Sequence, residues 1–75
     1  MRKYAVVIEQ GPSNYGAYVP DLPGCISTGK TLAEIEMNIR EAMDFHLRGL
    51  REDGLPIPEP SSTTIEVELA EPSLA

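Results

Sequence analysis

Residues 31–54, TLAEIEMNIREAMDFHLRGLREDG, read as a single capped helix and use nearly a third of a 75-residue chain. Thr31 and Glu34 form the T-x-x-E pattern of a capping box, which satisfies amide groups left open at a helix start. Gly54 supplies the left-handed residue that ends such a helix, and Arg48 and Arg51 suit its negative C-terminal end. At about 100° per residue, Leu32, Ile35, Ile39, Ala42, Met43, His46 and Leu50 share one face. Met37 and Phe45 fall outside that stripe. A helix over residues 32–53 spans about 33 Å, whereas the strands available to it are worth about 20 Å each. Its late half, with Phe45, Leu47 and Leu50, is therefore expected to overhang the sheet.

Strands must come from the remaining residues. Residues 3–10 are rich in β-branched and aromatic side chains and read as a first strand. "GPSN" (residues 11–14) is dense in turn formers, and residues 15–19 read as a second strand, stopped by Pro20. In "VPDLPGCIST", Pro23-Gly24 fits the central positions of a type II turn, with Leu22 tucked beneath it. A short third strand over residues 25–29 follows. "LPIPEP" (residues 55–60) is a proline-stiffened connector. Residues 63–69 alternate Thr63, Ile65, Val67 and Leu69 against Thr64, Glu66 and Glu68, the period of a half-exposed strand. The reading is α+β, β-β-β-α-β: an antiparallel meander plus a parallel fourth strand, order 3-2-1-4, with the helix on one face. One domain over residues 1–75 holds all of it, and one sheet face lacks cover from its own chain.

A domain this short buries only about 60% of its unfolded surface, so a staple or a partner is expected. Cys25 is the only cysteine and His46 the only histidine. An internal disulfide is therefore impossible, and a zinc site of four Cys/His ligands is out of reach. Self-association remains, with Met37, Phe45, Leu47 and Leu50 as its expected interface in a dimer or tetramer. Twelve acidic residues against six basic ones give a net charge of −6. Such a surface repels phosphate backbones and suits a basic protein partner. The apolar run at residues 5–8 is too short for a signal peptide or a membrane span, so a cytoplasmic location is expected.

No catalytic constellation is legible. A nucleophilic Cys25 needs a base and an orienting group, and His46 falls mid-helix on the core face. Cys25 reads as a small buried hydrophobe, and His46 as a packed or interface residue. Glu9 and Asp21 are the only acids in the first three strands and their loops, too few for a metal-dependent nuclease. No phosphate-binding glycine pattern occurs. The expectation is a non-enzyme with no cofactor and no metal.

Three motifs occur together: "VPDLPGC", the G-x-T-x-x-E run from Gly29 to Glu34, and "EDGLPIPEP". From Tyr4 to about Pro60 the chain resembles the HicB family of antitoxins. The resemblance implies a partial ribonuclease H-like fold without catalytic carboxylates. It also implies binding to HicA, a small basic toxin that cleaves messenger RNA, so that the toxin's active site is masked. Longer members carry a C-terminal segment that binds operator DNA. Here only "AEPSLA" follows Leu69, so neither a DNA-binding segment nor direct DNA or RNA binding is expected. The toxin-binding residues expected on this reading are Tyr15, Tyr18, Asp21, Leu22, Pro23 and Gly24, with Asp21 pairing a basic or histidine side chain. An alternative from a different class is a homo-oligomeric, small-ligand-binding regulatory domain without a toxin.

Overall fold

The computed structural model describes residues 2–71. Its elements are β1 (Val7–Gln10), β2 (Tyr15–Tyr18), β3 (Ile26–Gly29) and α1 (Leu32–Glu52). The strands form an antiparallel meander in the order β1-β2-β3. β1 starts at Val7, later than its composition predicts. Val7 is opposite Tyr18, which brings Pro20 alongside Ala5, and proline has no N–H to continue a ladder. The Val19 N–H turns instead to the Cys25 carbonyl at 3.2 Å.

The link from β2 to β3 is two consecutive turns. Leu22 N–H donates to Val19 C=O at 3.0 Å across Pro20-Asp21, and Cys25 N–H donates to Leu22 C=O at 3.0 Å across Pro23-Gly24. Gly24 has φ +85°, the left-handed value that a type II turn demands at its third position. The double turn drives Leu22 into the core, where it is 0% exposed.

The caps of α1 follow the sequence closely. Glu34 N–H donates to Thr31 Oγ1 at 3.0 Å, while Glu34 Oε1 accepts from Lys30 N–H at 3.0 Å, one residue before the usual partner of a capping box. At the far end Leu55 N–H donates to Leu50 C=O and Gly54 N–H to Arg51 C=O, with Gly54 at φ +68°. That pair of bonds is a Schellman motif.

The helix lies over β3 and β2 and makes no comparable contact with β1. Its buried residues are Ile35 and Ile39, both in its first half. They pack with Ala17, Val19, Leu22 and Cys25. Each large side chain buried there contributes about 1.5–3 kcal/mol. Asn38 Nδ2 donates to Thr28 C=O at 2.8 Å, tying the helix to the edge of β3. Gly29 permits a close approach of helix and strand, because a Cβ there would lie 2.8 Å from the Ile35 nitrogen. Beyond Ile39 the core face is only half-buried (Ala42, Met43, His46, Leu50), while Leu32 in the first turn is exposed. The expected overhang is only partial: Ala42, Met43 and Leu47 pack against the core cluster, and of Phe45, Leu47 and Leu50 only Phe45 is exposed.

The parallel fourth strand, and with it the order 3-2-1-4, needs correction. Residues 63–71 have no regular secondary structure and are exposed throughout. The connector explains why. Tyr4 donates its hydroxyl to Pro58 C=O, Arg2 meets Glu59 at 3.5 Å, and Ser61 and Ser62 bond to Asp21. The chain thus crosses the ends of β1 and β2 and arrives beside the β2–β3 link. From there it does not join the sheet, whose order is β1-β2-β3.

Candidate functional site

Side chains alternate across the sheet, so the buried Ala17 fixes both of its faces. Tyr4, Val6, Ile8, Tyr15, Ala17 and Val19 share the face towards α1. Val7, Gly16, Tyr18 and Ile26 share the opposite face, which no described element covers. Val7 pairs with Tyr18 and Tyr18 with Ile26, so the three form one cross-strand row. Ile26 is 70% exposed and Tyr18 41%. Gly16 adjoins the row, and a Cβ there would meet nothing within 4 Å. Glu9, opposite Gly16, adds a carboxylate to this face.

The six expected toxin contacts divide between different surroundings. Tyr18, Pro23 and Gly24 are exposed. Tyr15 points to the helix side and packs against the core, because its spacing of three from Tyr18 puts the two on opposite faces of one strand. Leu22 is sealed in the core and acts by shaping the turn. Ile26, Val7 and Gly16 share the uncovered face with Tyr18, a placement that alternation from the buried Cys25 makes legible for Ile26.

Asp21 has an internal role that the sequence reading did not anticipate. Its Oδ2 accepts the backbone N–H groups of Ser61 and Ser62, both at 2.9 Å, and its Oδ1 accepts their hydroxyls at 3.1 and 2.8 Å. Four bonds use the acceptor capacity of a carboxylate in full. The Ser62 N–H contributes most and the Ser61 N–H next, then the Ser62 hydroxyl, and together they hold the Asp21 carboxyl at about 2 rather than 3.8. A carboxyl whose folded pKa lies below its unfolded value adds stability at pH above the unfolded value, and that stability is lost as pH falls through the folded one. The anchor is therefore expected to hold above pH 3.8 and to release as pH approaches about 2. An NMR titration should show the Ser61 and Ser62 amides shifting together with Asp21 at that low midpoint. A midpoint at the ordinary aspartate value would contradict the four-bond geometry.

Cys25 is buried, and its burial pushes the thiol pKa up, which disfavours the reactive thiolate. His46 is half-buried on α1. Among the described residues no three His, Cys, Asp or Glu side chains are placed to hold a metal ion. No described helix is long and apolar enough to cross a membrane. A second feature is a groove of about 840 Å³ between β1 and the late half of α1, lined by Tyr4, Val6, Ile8, Ile39, Met43 and Leu47 among others.

A sequence profile described as the HicB-like antitoxin of bacterial toxin–antitoxin systems matches residues 4–75. The chain belongs to the HicB-like antitoxin family. A solved structure described as the HicA3 and HicB3 toxin–antitoxin complex contains a similar chain, with a TM-score of 0.70 and 33% identity over 80% of this chain and 70% of that one. The chain is 41% identical over 69 residues to a 14.9 kDa protein of Haemophilus phage HP1 and spans half of that relative's length. It is 38% identical over 65 residues to a UPF0150 protein of Helicobacter pylori, covering 90% of it. A UPF0150 protein of Thermoplasma acidophilum is 36% identical over 66 residues, 96% of its length. The α+β arrangement of three antiparallel strands followed by one helix is the arrangement of a HicB-like fold.

Proposed function

We propose that this HicB-like chain is a cytoplasmic, non-enzymatic antitoxin that binds a basic HicA-type toxin and masks its messenger-RNA-cleaving site. The observation that carries this reading is the match in both sequence and fold to a chain of a HicA–HicB complex, at 33% identity. The net charge of −6 supports a basic partner, because opposite charge steers association and discriminates among partners. The contact surface in this proposal is the uncovered sheet face: Tyr18 and Ile26 at its centre, Val7 beside them, and Pro23 and Gly24 at its rim. Tyrosine at the centre of an apolar patch is a common anchor of protein interfaces. Asp21 serves that surface indirectly, by holding the connector against the turn.

We also propose that the chain self-associates as a dimer or tetramer, with Met37, Phe45, Leu47 and Leu50 of α1 as candidate contacts. Phe45 is 76% exposed and Met37 61%, apolar area whose burial against a partner would add to a domain short of core.

Calorimetry of the chain with a HicA-type toxin tests the partner. Binding at micromolar Kd or tighter, weakening as salt is raised, is the expected result. Absence of heat at every salt concentration contradicts it. By itself, the chain is expected to leave RNA intact in magnesium or manganese.

A further inference from the structure

We infer that residues 63–69 of one copy dock as a strand on the free edge of β1 in a second copy, over the groove between β1 and α1, so that two chains exchange their tails. The tail is built for such a place. Ile65, Val67 and Leu69 are 80%, 66% and 79% exposed, yet they alternate with polar residues as the inner row of a strand does. An alternating apolar row of this kind suits addition to the edge of another chain's sheet.

The receiving site lies on the same molecule but out of the tail's own reach. β1 ends the sheet, so one row of its N–H and C=O groups has no strand beside it. α1 covers β2 and β3 only, which leaves the groove open along this edge. A strand added beside β1 would drop its apolar row onto Met43 and Leu47. β3 is the other edge, but there the helix packs closely and Asn38 already takes the Thr28 carbonyl. The groove is lined by Arg2, Arg40 and Arg51 against Glu36 and Asp44. Half of the chain's six basic side chains therefore gather where a tail carrying Glu66 and Glu68 would lie.

Two observations favour a second copy over the chain's own tail. The Asp21 bonds to Ser61 and Ser62 release the tail beside the β2–β3 link, and from there its residues 63–71 run exposed rather than back along β1. The molecule is also drawn out: its radius of gyration is 15.5 Å, against about 11 Å for a compact chain of this length. Reciprocal docking buries both tails about one two-fold axis, the commonest symmetry of oligomers.

Sedimentation of the full chain tests this without any toxin, so its failure is distinct from failure of the antitoxin reading. The parent is expected at twice the chain mass, and an Ile65→Asp/Val67→Asp double variant at the chain mass with its helical circular dichroism intact. In a dimer mixed from two isotope labels, contacts between residues 65–69 and β1 should appear between chains. A monomeric parent, a double variant that stays dimeric, or contacts confined to one chain would each overturn the proposal.

Discussion

Gly29→Val is expected to lower stability by about 3 kcal/mol, the upper part of the usual cost of overpacking a filled interior. The obstacle is backbone, not a side chain that can swing aside. A Cβ at Gly29 would sit 2.8 Å from the Ile35 nitrogen and 3.0 Å from its Cα. Relief requires α1 to lift away from β3, which loosens Ile35 and Ile39 from Ala17, Val19 and Leu22. A domain of this size holds about 4–11 kcal/mol in total, so the melting temperature should fall by roughly 12–24 °C. Gly49→Ala is the control. It lies in α1 with nothing within 4 Å of its Cβ position, and should stabilise by about 0.5–1 kcal/mol through helix propensity alone. Thermal melts of the two variants decide the matter. Equal effects would mean that the close helix–strand approach is not a feature of the folded protein.

The second large effect concerns the uncovered sheet face. Gly16→Arg is expected to weaken toxin binding roughly 100-fold and Tyr18→Ala roughly 30-fold, losses of about 2–3 kcal/mol. Gly16 is open on that face and its φ is not positive, so the arginine should be accommodated without strain. It then presents bulk and positive charge to a basic partner, an unfavourable meeting of like charges. Tyr18→Ala removes the centre of the Val7–Tyr18–Ile26 row. Both side chains lie on the side away from the core, so melting temperatures should stay within a few degrees of the parent. Calorimetry against the toxin measures the losses. Unchanged affinity in both variants would move the contact surface elsewhere on the molecule.

The parts of this fold legible in the sequence are those that neighbouring residues decide. The capping threonine, Gly54 and the 3.6-residue period bound the helix to within a residue of its observed end. Pro23-Gly24 specified its turn, and Leu22 went beneath it. Two features were not legible in that way. The alternation in residues 63–69 gives a strand tendency but carries no information about which edge will receive it. The bonds from Ser61 and Ser62 to Asp21 join residues 40 and 41 positions apart, and neither serine stands in a motif that announces a partner. The division of Tyr15 from Tyr18 was available from strand alternation alone. The rigid turn that makes Asp21 read as a binding residue also makes it a firm anchor for the chain's own connector.

The most direct test of the antitoxin reading is protection of messenger RNA from a HicA-type toxin. With the toxin at fixed concentration, cleavage should fall in proportion to added chain and cease near stoichiometric amounts, while Gly16→Arg protects only at far higher concentration. Cleavage that continues undiminished in an excess of the parent chain would contradict the account.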